Sequence, residues 1–277
     1  MEIMKLKIYI DEAGRGPLAW PLYVGAVLPR QRFIKKHYKD SKILSERQRE
    51  ELFAKIQSLE QKNQIVFWYW IVSSWEIDLH GMTQALHFGV LRSVQMILQK
   101  LHQKEISQQL GKVLCSCDVM QGLVLQNLFL EQEKIVEVMT KIADIFRWFG
   151  LDLELSIDGN RTFGVDQTLW CPVIPIIDGD ALIPEISMAS IIAKVLRDHA
   201  MVELDKDYPQ YKLAQHKWYG TQEHRDLIAQ HGPSAIHRKL FLKDYFPEFK
   251  KQPKKTKQAK KVSRPPRKKK PQAEKLF

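Results

Sequence analysis

The sequence predicts a sheet domain of the α/β or α+β class with a functional site along one edge of the sheet. Short apolar segments with the two-residue period of strands are followed by longer segments with the period of helices. Acidic residues stand where several of the predicted strands end. This arrangement is typical of a sheet packed against helices, with polar side chains gathered at the strand ends.

The strands are predicted from strict alternation and from short apolar runs. Residues 5–10 (KLKIYI) alternate, so they form a strand whose period places Asp11 on the side of Tyr9. In residues 151–158 (LDLELSID) the polar residues share one face, and Asp158 ends the strand on that face. Further strands are predicted at residues 21–29, 65–72 and 171–178.

The helices are predicted from capping signals and apolar spacing. Ser45 followed by Gln48 forms a capping box, so a helix begins there. Pro184 opens a helix that is expected to reach roughly Met201. Residues 105–150 are interpreted as an inserted helical element. Other helices are predicted from near Thr83 to about Lys104, and at residues 222–230.

The positive charge of the chain is concentrated at its C-terminal end. Residues 250–277 contain 13 Lys or Arg and one acid, whereas the remaining 249 residues hold 30 basic and 31 acidic groups. With few large apolar side chains, this segment is predicted to be a disordered basic tail. Nucleic acid is the favoured partner of such a tail. An anionic membrane, an RNA-rich assembly or a purely solubilising role are the alternatives.

Composition predicts a soluble protein of the cytoplasm. No signal-peptide pattern is present, and no run of about 18 apolar residues could span a bilayer, so a membrane partner is not expected. The cysteines, Cys115, Cys117 and Cys171, lack zinc-ligand spacing and are odd in number, which favours a reducing compartment without disulfides. A monomer is expected.

Carboxylates form the strongest chemical pattern of the sequence. Asp11, Glu12, Asp158 and Asp180 each lie where a predicted strand gives way to a loop containing glycine, so they could meet at one sheet edge. Hard oxygen ligands suit Mg²⁺ or Mn²⁺, and two such ions can promote phosphodiester hydrolysis. The alternative is that an Asp before Gly is only a turn residue, which is how we interpret Asp178.

Six further segments stand out along the chain: IDEAGRGPLAWP (10–21), DSKILSERQREEL (40–52), SIDGNR (156–161), GDALIPEISMASIIAKVLRDHAM (179–201), YGTQEH (219–224) and GPSAIHRKLF (232–241). In this order they resemble ribonuclease HII, the prokaryotic type 2 ribonuclease H. The resemblance implies a ribonuclease H-like fold of the α/β class: a mixed central sheet flanked by helices, with a helical insertion and a C-terminal helical region. It implies that residues 1–249 are one catalytic domain.

The resemblance also implies an activity. The expected reaction is endonucleolytic cutting of the RNA strand of RNA/DNA hybrids and incision at ribonucleotides embedded in duplex DNA, leaving 3′-hydroxyl and 5′-phosphate ends. Matched to the family pattern, the metal-binding and catalytic acids are Asp11, Glu12, Asp158 and Asp180, which would hold two Mg²⁺ or Mn²⁺ ions.

The residues that would bind substrate follow from the same resemblance. The turn of Gly14, Arg15 and Gly16 is expected to bond the ribose 2′-hydroxyl, the group that distinguishes RNA from DNA. Tyr219 is expected to complete that recognition and to stack on the following deoxyribose; its alternative is a tyrosine at the rim with a satisfied hydroxyl. Lys42 is a candidate phosphate contact, although a lysine at a helix start is commonly only solvated.

Two tryptophans depart from the family pattern. Trp20 and Trp218 stand where the family usually has glycine. They would either reshape the groove or stack against the end of the duplex. Ser187, Ser190 and Lys194 lie on the helix after Asp180, and packing and capping explain the two serines about as well as substrate contact does. His224 either braces the fold or touches nucleic acid.

Two other functions are compatible with the pattern. A catalytically silent relative could use the groove and the basic tail only to hold hybrids or structured RNA. Another nuclease on the same fold, such as a resolvase or an exonuclease, would lack the Gly-Arg-Gly turn and the tyrosine block. Cleavage of a duplex with one embedded ribonucleotide separates these hypotheses.

Overall fold

Five strands form one mixed sheet. The computed structural model describes residues 5–33, 43–103, 136, 152–169, 171–246 and 249. The expectations for Lys42, for residues 105–150 apart from Val136, and for residues 250–277 fall outside these ranges. The strands are β1 (Lys5–Ala13), β2 (Leu22–Pro29), β3 (Ile65–Val72), β4 (Asp152–Asp158) and β5 (Val173–Ile176).

The strand order is β3-β2-β1-β4-β5, in which β1 to β3 are antiparallel neighbours and β1, β4 and β5 are parallel. The predicted mixed sheet is therefore confirmed. Strand β1 is longer than predicted, because Tyr23 to Gly25 of β2 continue to pair with it as far as Ala13. Asp11 and Glu12 consequently belong to the last paired residues of β1 rather than to the loop that follows it.

Helices cover both faces of the sheet. Leu6, Ile8 and Ile10 of β1 pack in a core with helix α3 (Met82–Gln103). On the other face a second core joins Val27 to apolar residues of helix α1 (Glu46–Gln61) and helix α6 (Pro184–Asp207). The apolar residues that alternation assigns to one face of β1 therefore all lie in the first core.

Helix α6 lies unusually close to β2. A Cβ atom added at Gly25 would collide with the carbonyl oxygen of Ala189 in α6, so no larger residue fits there without moving the helix. Gly25 is the register partner of Asp11. The close approach therefore brings Ser190, the residue after Ala189, to the Asp11 side chain.

The remaining helices are short or follow α6. The capping box at Ser45 is present, with both reciprocal hydrogen bonds to Gln48. The helix predicted from near Thr83 to about Lys104 is confirmed as α3, and an unpredicted short helix, α2 (Ser74–His80), precedes it and ends at Gly81, which has φ +77°. Within the described residues, no helix has the length and apolarity to cross a membrane. The further elements are α2 (Ser74–His80), α4 (Val165–Leu169), α5 (Gly179–Leu182), a 3₁₀ turn (Pro209–Tyr211), α7 (Leu213–His216), α8 (Gln222–His231) and α9 (Lys239–Leu242).

The two tryptophans pack against each other in a third, C-terminal core. Trp20 and Trp218 adopt φ of +80° and +69°, which is the conformation that glycine tolerates best. Their ring centroids are 5.4 Å apart, and Trp218 is fully buried. Left-handed backbone costs about 1–2 kcal/mol at such a residue, and burial of the indole offsets that cost. Because it is buried, Trp218 does not present a stacking surface to a duplex.

Candidate active site

Three of the predicted acids meet at the ends of two neighbouring strands. Strands β1 and β4 are parallel, and Ile10 is opposite Ile157. The next residues on each strand, Asp11 and Asp158, therefore come side by side, with Glu12 following. Asp11, Glu12 and Asp158 line one cavity of about 500 Å³.

The fourth acid lies directly behind Asp158. Asp180 is in α5, which follows β5, and its backbone amide donates a hydrogen bond of 3.3 Å to the Asp158 carboxylate. Its side chain is buried and is not part of the cavity lining. Asp178, interpreted as a turn residue, is exposed and adopts the left-handed conformation before α5.

The local electrostatics disfavour a negative charge on Asp11. Burial raises the pKa of Asp11 well above its usual range, and the charges of Glu12 and Asp158 raise it further. Hydrogen bonds from Ser190 and from the Glu12 amide oppose these effects, the latter at 2.7 Å. A cation bound among these carboxylates would relieve the repulsion, so the donor set fits a hard divalent ion.

The side chains are not arranged around an ion as they stand. Among the residues described here, no group of three or more His, Cys, Asp or Glu has the geometry of a metal site. Glu12 is engaged by Arg15, whose guanidinium lies 3.1 Å from the Glu12 carboxylate. Rotation of Glu12 away from Arg15 would let its carboxylate approach those of Asp11 and Asp158.

Basic side chains line the same cavity as the acids. Ser190, Lys194 and Arg197 come from one face of α6, at the spacing of successive helical turns. The sequence reasoning considered Ser190 and Lys194 but missed Arg197, although the same spacing points to it. Arg49 of α1 and Lys217, which also line the cavity, were missed as well.

Arg197 is the most enclosed of these cations. Its guanidinium donates to the Lys217 carbonyl at 3.3 Å and lies 3.5 Å from Asp198. Burial lowers the pKa of Arg197. The side chain also packs on the Gly14 backbone, where an added Cβ would lie 2.6 Å from Nε of Arg197.

The predicted sugar-reading residues are brought together at the same cavity. Gly14 has φ +99°, and a Cβ added at Gly16 would lie 3.2 Å from the ring of Tyr219. Tyr219 is half exposed and lines the cavity with Gly14. Arg15 points outward, its guanidinium 5.6 Å from the Phe163 ring centroid. The turn and the tyrosine thus form one surface beside the carboxylates.

Two buried histidines lie behind Tyr219. Nδ1 of His224 is 3.0 Å from the Tyr219 carbonyl, and its Nε2 is 3.2 Å from Nε2 of His237. Burial lowers the pKa of His224 to about 4 and that of His237 to about 3. His216 stacks on His224 at 4.3 Å and adds to the lowering. His224 therefore braces the fold rather than facing the cavity.

We expect these histidines to make the fold sensitive to acid. Their pKa values are about 4 and about 3 when folded and about 6.5 when unfolded, so below pH about 6.5 the unfolded chain binds more protons. Their contribution to stability is complete above that pH and is lost as the pH falls toward 4. Thermal unfolding followed from pH 7.5 to 5 should show a smaller loss for His237→Gln than for the native chain. Equal losses would contradict this assignment.

Two solved structures share the fold of this chain. The ribonuclease H2 of Pyrococcus horikoshii superposes with a TM-score of 0.53 at 21% identity, covering 89% of this chain and 100% of that one. The ribonuclease HII of Archaeoglobus fulgidus superposes with a TM-score of 0.50 at 18% identity, covering 89% and 97%. The fold is therefore that of a type 2 ribonuclease H.

The sequence comparisons identify the family. A sequence model of ribonuclease HII matches residues 8–117 and 154–244. The ribonuclease HII of Xylella fastidiosa strain M23 is 33% identical over 234 residues, which cover 84% of this chain and 75% of that protein. The protein of the same name from Halorhodospira halophila is 32% identical, covering 84% and 89%. The chain belongs to the ribonuclease HII family and is a nuclease of the ribonuclease H class.

Proposed function

We propose that this nuclease hydrolyses the RNA strand of RNA/DNA hybrids and incises duplex DNA at embedded ribonucleotides, leaving 3′-hydroxyl and 5′-phosphate ends. The observation that supports this most strongly is one shared cavity. Asp11, Glu12 and Asp158 line it together with Gly14 and Tyr219. The carboxylates that would promote phosphodiester hydrolysis and the residues that would bind the sugar, Gly14 and Tyr219, would thus act on the same nucleotide.

Metal ions are part of this proposal. Asp11, Glu12, Asp158 and Asp180 would hold them, since all four offer oxygen ligands and their mutual repulsion favours bound positive charge. Two Mg²⁺ or Mn²⁺ ions bound there would supply the charge that lowers the pKa of the attacking water and stabilises the leaving 3′-oxygen. No side-chain nucleophile is required.

The chain itself would orient the substrate. Amides and carbonyls at Gly14 and Gly16 would bond the ribose 2′-hydroxyl, and the Tyr219 ring would pack against the neighbouring sugar. Lys194 and Arg197, which line the same cavity, would bind strand phosphates. Release of Glu12 by Arg15 would accompany assembly of the site, with Arg15 then free for a phosphate.

The direct test is cleavage of a DNA duplex with one embedded ribonucleotide. With Mn²⁺ or Mg²⁺ the native chain is expected to cut at the ribonucleotide and to leave a 3′-hydroxyl and a 5′-phosphate, and chelation of the metal is expected to stop the reaction. Mapping of the product ends on a denaturing gel checks both points. Binding without cleavage, with either metal present, would instead support the silent relative. The family match argues against a resolvase or an exonuclease.

The division of the chain is also proposed. Residues 1–249 would form the catalytic domain, acting as a monomer in the cytoplasm, and residues 250–277 would be a basic tail that binds nucleic acid. Because the tail carries 13 basic residues, its phosphate contacts would be sequence-independent and sensitive to salt.

Truncation before Lys250 is expected to weaken duplex binding and to reduce its salt dependence without moving the cut. The reason is that counterion release by the tail adds affinity but no base or sugar contact. Binding isotherms at several salt concentrations and product mapping check the two parts. A truncated chain that cuts at a different position would contradict this separation of roles.

A further inference from the structure

One buried arginine holds the backbone of the glycine turn. The guanidinium of Arg238 donates to the carbonyl oxygens of Gly14 at 2.7 Å, Arg15 at 3.0 Å, Pro17 at 3.0 Å and Trp20 at 2.8 Å. Arg238 is fully buried. Its planar fork fixes several carbonyls in one arrangement, which a lysine ammonium on a flexible stem cannot do.

The residue before Arg238, His237, is connected by hydrogen bonds to Tyr219, which forms the proposed sugar-binding surface together with the glycine turn. The Ser234 amide donates to Nδ1 of His237 at 3.0 Å, so the proton of the neutral ring is on Nε2. That Nε2 donates to Nε2 of His224, whose own proton is then on Nδ1 and is donated to the Tyr219 carbonyl. The chain of hydrogen bonds has one orientation and ends on the tyrosine backbone.

Backbone contacts join the same two regions. The Arg238 amide donates to the Leu18 carbonyl at 2.8 Å, and the Leu18 amide donates to the Trp218 carbonyl at 2.9 Å. An isolated antiparallel bridge pairs Ala19 with His237. His237 and Arg238 therefore contact the chain just after the glycine turn, at Leu18 and Ala19. Through His224 they also contact Tyr219, which lies beside that turn.

We propose that His237 and Arg238 are positioning residues that set the spacing between the Gly14–Gly16 turn and Tyr219, and thereby the preference for ribose over deoxyribose. This inference rests on the function proposed above. Neither side chain lines the cavity. Each acts through backbone atoms of residues that do, so their loss should weaken recognition of the 2′-hydroxyl more than general binding to duplex phosphates.

The first test asks whether His237 acts through Tyr219. His237→Leu removes the donor to His224, whereas His237→Gln keeps a terminal N–H that can replace it. We expect kcat/KM on a duplex with one ribonucleotide to fall about tenfold for His237→Leu, because small misplacements of a binding group have effects of this size or larger. His237→Gln should restore most of the loss. In a Tyr219→Ala background the His237→Leu effect should disappear, since the ring that it positions is gone.

The second test uses Arg238→Lys with Arg92→Lys as its control. Arg92 is also a largely buried arginine, paired with Glu76 at 2.6 Å, and neither residue of this pair lines the cavity. Arg238→Lys should lower kcat/KM about tenfold while inhibition by an all-DNA duplex changes less than about twofold. Arg92→Lys should change stability only. Thermal unfolding of each variant shows whether it is folded.

The outcomes separate the inference from the function on which it rests. If the native chain does not cleave, the proposed function fails before any variant is compared. If the native chain cleaves, and His237→Leu costs as much with Tyr219→Ala as without it, His237 is only structural. Equal losses of ribonucleotide cleavage and all-DNA binding in a folded Arg238→Lys variant would likewise overturn the role of Arg238.

Discussion

Asp11→Asn is expected to reduce cleavage of a duplex with one ribonucleotide to below a few per cent of the native rate while leaving binding of that duplex intact. Asp11 is buried between Glu12 and Asp158, whose charges and the burial raise its pKa. An amide of the same shape removes a negative oxygen from the proposed ion site without creating a cavity. Single-turnover cleavage and a binding isotherm with the same duplex separate the two effects.

The matched control is Asp178→Asn. Asp178 precedes a glycine close to the site but is exposed and has φ +53°, a conformation that asparagine tolerates as well as aspartate does. This variant should cleave at the native rate. Asp11→Asn retaining more than a few per cent of native cleavage would contradict the role assigned to Asp11.

Gly14→Ala is expected to lower kcat/KM about a hundredfold. The new Cβ would lie 2.6 Å from Nε and 3.0 Å from Cδ of Arg197, a side chain enclosed by the protein, so the turn and Arg197 cannot both keep their positions. Left-handed backbone at residue 14 adds about 1–2 kcal/mol of strain. Steady-state kinetics on the single-ribonucleotide duplex measures the effect.

Gly81→Ala isolates the effect of the backbone conformation. Gly81 has φ +77°, but an added Cβ there meets nothing within 4 Å. This variant should therefore lose stability by a similar strain and keep its activity. If Gly14→Ala and Gly81→Ala have the same kcat/KM, the close contact with Arg197 does not shape the site.

The parts of the site that depend on strand geometry could be predicted from the sequence. Alternation identifies β1 and β4, and carboxylates at the ends of adjacent parallel strands must lie close together, as Asp11 and Asp158 do. The glycine turn and Tyr219 were predicted by resemblance alone. The turn and the tyrosine lie so close that a Cβ added at Gly16 would be 3.2 Å from the Tyr219 ring, and no local sequence pattern indicates this proximity.

The parts that depend on distant pairing could not be predicted. Arg238 bonds the Trp20 carbonyl across 218 positions of the chain, and nothing in the GPSAIHRKLF segment indicates which residues it would hold. The packing of Trp20 on Trp218 is of the same kind. Arg197 is an intermediate case, because its helical spacing from Ser190 and Lys194 could have been used.

Helix boundaries show the limit of local signals. The helix predicted from near Thr83 is α3, but the short helix α2 before it, which has its own capping box at Ser73 and ends at Gly81, was not predicted. Helix α6 continues past Met201 to Asp207, because apolar contacts of Met201 and Leu204 with the C-terminal core extend it.

The most direct test of the account is the binding of Mn²⁺ to the native chain and to Asp158→Asn, measured by titration calorimetry without nucleic acid. Carboxylates brought together at the cavity should bind the ion in the native chain, and replacement of Asp158 should weaken that binding by about tenfold or more. Asp178→Asn should bind as the native chain does. Equal Mn²⁺ affinity in the native chain and in Asp158→Asn would contradict the proposal that these acids form a common metal site.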